Sequence, residues 1–257
     1  MTYRSVLEVI LLATILVPAV AGCVTVNSKT EANTIQEIDA VVEDDVEDAE
    51  GFTPSQSYII YLNRYGGRYT PGVDNPTNNV SQVVKAKHHT PLTVTGFEGD
   101  DVAWQQVIAH LHTLYARYNI TIVDAEPTSG EYIECVVSSQ TGSVFKDYTD
   151  TTIGVSPFSC KGKRKAINFI LLGKAPRTPE RIGEIIAHEV GHVYGLNHTY
   201  DRGDMMTYLP GPRTFLDRNM KCATGTPKKW KASRKCKCKN DYQNSHQLLL
   251  SRIGAAR

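Results

Sequence analysis

The sequence has little net charge, no apolar run of comfortable membrane-spanning length and no internal repeat. Its 28 basic and 27 acidic side chains leave a formal charge of +1. No overall positive field therefore draws it to nucleic acid, and no nucleic-acid partner is expected. The longest apolar stretch, Val9 to Ala21, is too short to cross a bilayer as a helix. Cysteine is sparse, and Cys236-Lys237-Cys238 lacks a second ligand pair at a suitable spacing. That excludes a convincing cysteine zinc site there. Asp74, Asn75 and Asn78 fit no calcium-loop pattern and read as a turn, although their oxygens would suit calcium. Without repeats, and with 41% hydrophobic and 21% charged residues, the chain reads as a globular protein of one or two domains.

The charge that is present is segregated. Between Val24 and Glu50 only Lys29 opposes a run of Asp and Glu, whereas every charge from Arg218 to Lys239 is basic. Such blocks form solvated tails or interaction surfaces.

Residues 1–22 read as a secretory signal, with Arg4 ahead of the apolar stretch and small residues at its end. Val20-Ala21-Gly22-Cys23 resembles the lipobox of bacterial lipoproteins. The resemblance implies lipid on Cys23, export, and a membrane anchor, with the outer membrane or cell surface as the expected location. Residues 23–54 then form an acidic tether, read as a solvated spacer or, alternatively, as a latency segment that folds onto the basic stretch. Export permits disulfides. Setting Cys23 aside, two bridges and one odd thiol are expected, with Cys135–Cys160 and Cys222 to Cys236 or Cys238 favoured by proximity.

The domain is expected over residues 55–257. Ser57 to Tyr61 is β-prone, and Gly66-Gly67 and Pro71-Gly72 read as breaks. Trp104, Val107, Ile108, Leu111, Leu114, Tyr115 and Tyr118 form one apolar face of a helix over Val102 to Tyr118. Ile120–Val123 reads as a strand, Glu131–Val137 as a second strand at an edge, and Ala166–Leu172 as a strand inside a sheet. Thr178 caps a helix with Pro179 at its first position, Gly195 ends it, and a short helix closes the chain over Ser245–Ile253.

That second helix carries His188-Glu189-Val190-Gly191-His192-Val193-Tyr194-Gly195-Leu196-Asn197-His198. Positions i and i+4 share a helix face, so His188 and His192 can present nitrogens to one ion. Glu189 is adjacent without being a ligand, and a turn at Gly195 can return His198 to the ion. Three imidazoles leave a fourth position open, the arrangement of a catalytic zinc site. His88, His89, His110, His112 and His246 read as surface or boundary histidines.

This stretch resembles the metzincin clan of zinc proteases, H-E-x-x-H-x-x-G-x-x-H followed by a methionine turn. Met206, eight residues after His198, stands at the turn position with the spacing of the matrix-metalloprotease branch. Tyr208, two residues later, is similar to the astacin and serralysin branches. The resemblance implies one catalytic zinc on His188, His192 and His198, Glu189 as base and Tyr208 as oxyanion partner. It also implies an α+β fold: a small twisted mixed sheet, two long helices and an irregular C-terminal subdomain, with the active cleft between. The partner would be a protein or peptide substrate. A cysteine-switch pro-segment is absent, since Cys23 is the only upstream cysteine. The other readings are a zinc-containing lipoprotein that binds protein or wall partners without turnover, and a cell-wall peptide hydrolase. Oligomeric state is left open.

Overall fold

A computed structural model describes residues 57–257 other than 86, 88–90, 174–176, 226–228 and 234. The expected signal, Cys23, the acidic tether, His88 and His89 lie outside the described residues.

The framework is a mixed five-stranded sheet. Strands β1 (Tyr58–Asn63), β5 (Ile120–Val123), β6 (Tyr132–Ser138) and β8 (Ala166–Leu171) are parallel, and β7 (Gly154–Val155) runs antiparallel at one edge, in the order β5-β1-β6-β8-β7. A smaller sheet, β3-β2-β4, is formed by β2 (Gly66–Pro71), β3 (Val80–Ser81) and β4 (Leu92–Thr95).

Two sequence expectations need correction here. Glu131–Val137 was expected at an edge, but β6 lies between β1 and β8 with every residue buried. The acidic Glu134 is held inside the sheet, its Oε1 accepting from Asn63 Nδ2 at 2.7 Å and the Tyr69 hydroxyl at 2.9 Å. The Gly66-Gly67 break is a strand, β2, paired antiparallel with β4 through the register Gly66↔Thr95.

Helices α1 (Asp101–Tyr115) and α2 (Pro179–Val193) cover one face of the large sheet. Asp100 caps α1, its carboxylate accepting from Ala103 N at 2.7 Å. The helix ends at Tyr115, one turn earlier than the apolar face suggests, and the remaining Tyr118 is buried with its hydroxyl 2.7 Å from His246 Nδ1. Thr178 caps α2 by accepting from Arg181 N, with Pro179 first in the helix. Gly183 and Gly191 each cost α2 about 1 kcal/mol relative to alanine. Full burial of Ile182, Ile185, Ile186, Val190 and Val193 contributes roughly 1.5–3 kcal/mol each and outweighs that loss. The opposite sheet face carries a second apolar cluster, including Tyr69, Val136, Phe145 and Phe169.

Beyond α2 the regular elements are short: β9 (Ala223–Thr224) pairs antiparallel with β10 (Lys231–Ala232), and α3 (Ser245–Ile253) closes the chain. Disulfides Cys160–Cys238 and Cys222–Cys236 hold this irregular region. The second bridge is one of the two anticipated for Cys222. The expected Cys135–Cys160 pair does not form, because Cys135 sits on interior strand β6, facing the core under the helices. It is the free thiol, and burial pushes its pKa well above the usual range. No helix among the described residues is long and apolar enough to cross a membrane.

Candidate metal centre

Helix α2 delivers His188 and His192 to its buried side, one turn apart, both almost fully enclosed. The chain leaves the helix at Gly195, whose φ of +87° strains any residue with a side chain; a Cβ there would also meet Ser159 O at 2.7 Å. Three residues later His198 faces the other two. His192 Nε2 lies 3.1 Å from His188 Nε2 and 3.1 Å from His198 Nε2. Among the described residues, these histidines form the group whose ligand atoms converge for a metal.

The hydrogen bonds of the far ring nitrogens define what the near ones can do. His188 Nδ1 is 2.8 Å from Met205 O, and His192 Nδ1 is 2.8 Å from Leu196 O. A carbonyl only accepts, so each Nδ1 is the donor, and Nε2 is the nitrogen left to offer a lone pair inward. Bare lone pairs aimed at each other repel unless a cation lies between them. The spacing also suits zinc: a tetrahedron with metal–nitrogen bonds of about 2.05 Å has edges of about 3.3 Å. The donor set therefore fits a zinc ion, and His188, His192 and His198 are the residues that could hold it.

Glu189 is 2% exposed and points to the end of the edge strand, where Ser156, the residue after β7, donates from Oγ to its Oε2. Gly154 on β7 provides the space: an added Cβ would collide with the Glu189 carboxylate. Tyr208 lies over the histidines, its ring centroid 4.4 Å from that of His198 and 6.1 Å, stacked, from that of His188. Met206 is fully buried beneath α2, where an added Cβ at Gly191 would sit 2.5 Å from its Sδ. The structure thus gathers His188, Glu189, His192, Gly195, His198, Met206 and Tyr208 into one site.

The other singled-out residues lie elsewhere. His110 packs into the α1–α2 seam against Gly183, and His246 pairs with Tyr118. Asp74 braces a turn, accepting from Gln82 N at 3.0 Å, with Lys163 Nζ 3.8 Å from its other oxygen. An ammonium thus stands where calcium was considered.

The buttress of the site escaped the sequence reading. Asp204 is wholly buried and accepts from Thr199 Oγ1 at 2.8 Å, Met206 N at 3.0 Å, Ser245 Oγ at 3.0 Å and, through its other oxygen, Leu216 N at 3.1 Å. Burial raises its pKa against the pull of these donors. Gln243 accepts from Asn197 N at 2.7 Å and donates to Asn197 O at 2.8 Å, bracing the residue before His198. Trp230 also joins the site, its ring 4.3 Å from that of Tyr208 and 5.5 Å from that of His198. The one sequence signal for Asp204 is its place two residues before Met206; nothing local marks Gln243 or Trp230.

No protein-family profile and no curated protein matches the sequence. Among solved structures, metalloproteinase-II from Bacteroides fragilis is similar over 70% of this chain and 52% of its own, at 10% identity and a TM-score of 0.36. The chain spans about half the length of that protein.

Proposed function

We propose that the chain is a zinc-dependent endopeptidase of the metzincin type, held at a bacterial membrane surface by lipid on Cys23. The observation that carries this reading is the convergence of three Nε2 atoms, two of them with Nδ1 tied to a backbone carbonyl, beside a buried glutamate that is not one of the ligands. A purely structural or storage site has no need of that carboxylate. The run from His188 to His198 followed by Met206 supports the metzincin assignment, and Tyr208 supports kinship with the branches that carry a tyrosine two residues after the methionine.

When bound, zinc supplies Lewis acidity that polarises a peptide carbonyl and acidifies water. Glu189 takes the proton from the attacking water at its carboxylate and returns it to the leaving amine. Ser156 Oγ holds that carboxylate in place. The Tyr208 hydroxyl donates to the oxyanion that develops on the scissile carbonyl. Burial of all three histidines and of Glu189 excludes bulk water and strengthens each interaction.

The deciding experiment uses the zinc-loaded full chain and denatured casein, with and without a zinc chelator, beside Glu189→Ala with its zinc content measured. Cleavage lost to chelator and to Glu189→Ala, with zinc retained in the variant, is expected. Correctly folded protein without affinity for zinc would sink the proposal, and bound zinc without cleavage of any peptide would favour the binding lipoprotein. The anchor is tested separately: Cys23→Ser should move the protein from the membrane fraction to the soluble one.

A further inference from the structure

The described part of the segment from Cys222 to Lys239 is a wall of the histidine site. Its ends are fastened by Cys222–Cys236 and Cys160–Cys238. Ala223 N donates to His198 O at 2.8 Å, and Lys237 N donates to Asn197 Oδ1 at 2.9 Å. Trp230, between β9 and β10, lies against Tyr208 and His198. Lys237 Nζ lies 5.1 Å from the centre of the Phe158 ring, which is itself 6.4 Å from that of His192. The wall therefore reaches the site by way of two different histidines.

Its charge is of one sign. No Asp or Glu occurs between Arg218 and Lys239. Lys221, Lys229, Lys231, Lys235 and Lys239 are exposed and form no ion pair among the described residues. Of the acids nearest in sequence, Asp201 pairs with Arg218 at 2.6 Å, Asp204 is buried in its four hydrogen bonds, Asp217 accepts from Asn244 and Gln247, and Asp241 is exposed beyond Lys239. A chain with a formal charge of +1 thus concentrates unneutralised cations next to its metal site. Fields of this kind act within a Debye length, about 8 Å in physiological salt, and Lys229 and Lys231 flank Trp230, whose ring lies 5.5 Å from that of His198.

We propose that this disulfide-fastened wall selects peptides rich in Asp and Glu around the cleaved bond, an inference that rests on the peptidase reading above. An anionic polymer would also meet lysines. The contacts of Trp230 and Lys237 with rings of the site place the wall along the path of an extended peptide, and that favours an acidic peptide as the ligand.

The test reads binding apart from turnover. Zinc-loaded full chain carrying Glu189→Gln is titrated into fluorescent peptide mixtures of equal length, with Asp/Glu-rich or Ser/Gln-rich flanks, at low and high salt. At low salt the acidic mixture should bind roughly tenfold tighter, with most of that advantage lost at high salt. Lys229→Glu/Lys231→Glu should abolish the preference, while Lys146→Glu, near the opposite sheet face, should leave it. Equal affinities at low salt, or a preference indifferent to the wall reversal, overturn the inference. So does inorganic polyphosphate that binds the wall without displacing the acidic peptide. Cleavage of both mixtures by the wild-type chain with equal kcat/KM overturns selection and leaves the peptidase standing. Preferred acidic binding with no cleavage keeps the wall and removes the peptidase.

Discussion

The Glu189 carboxylate occupies space that exists only because residue 154 has no side chain. Gly154 lies on edge strand β7, and its backbone is one that alanine can adopt, since its φ is not positive. Gly154→Ala should therefore fold, bind zinc as the wild type does, and push the carboxylate from its position. Displacing a catalytic group by about 1 Å costs on the order of a hundredfold in rate. The measurements are kcat/KM on a quenched-fluorescence peptide and zinc content by atomic absorption. Undiminished activity would mean that Glu189 is not the proton acceptor.

Asp204 should be the most costly single truncation outside the apolar core. Asp204→Ala leaves four donors without their acceptor, and loss of stability by 3 kcal/mol or more, to order of magnitude, is expected in urea unfolding. Asp204→Asn should fall between alanine and wild type. Its oxygen can replace Oδ1 toward Thr199, Met206 and Ser245, but its amide would face the Leu216 N–H that Oδ2 now accepts.

Removing the Cys222–Cys236 bridge with paired alanines should lower stability by about 3 kcal/mol, the loop entropy for a separation of 14 residues. The longer Cys160–Cys238 link, with a sequence separation of 78, should cost more, about 4–5 kcal/mol on the same account. Urea midpoints of each pair variant with the other bridge intact decide the order.

Glu134 gives the fold a pH dependence. Burial pushes its pKa from the ordinary value of 4.5 to about 7. The folded state therefore binds this proton more tightly than the unfolded chain, and stability falls as pH rises from about 4.5 through about 7. Glu134→Gln keeps an oxygen for Asn63 and Tyr69 and removes the charge. It should stabilise the protein by about 3 kcal/mol at pH 8 and by little near pH 5. Thermal melts across that range would show a pH-independent difference if the carboxylate were ionised throughout.

The residues legible from sequence are those whose role is local. Thr178, Pro179 and Gly195 mark the ends of α2 because caps and positive φ act within a turn, and the helical spacing of His188 and His192 places them together without any tertiary knowledge. Ser245–Ile253 is helical as expected. What stayed hidden depends on distant partners. The interior place of β6 was hidden because Asn63 and Tyr69, which receive Glu134, lie more than sixty residues away in the chain. Proximity suggested Cys135–Cys160, whereas the three-dimensional path brings Cys238 to Cys160. Gly66-Gly67 reads as a break until β4 supplies a pairing strand. Asp204, Gln243 and Trp230 are ordinary in sequence and acquire their roles from the folding back of the C-terminal segment.

That folding back bears on when the site can exist. Asn197 and Asp204 are braced by Gln243 and Ser245, more than forty residues further along the chain. A chain growing from its N-terminus completes α2, with its first two histidines, well before the segment that steadies the third. The support of His198 is therefore complete only after residues 243–245 have been made and have folded back onto Asn197 and Asp204.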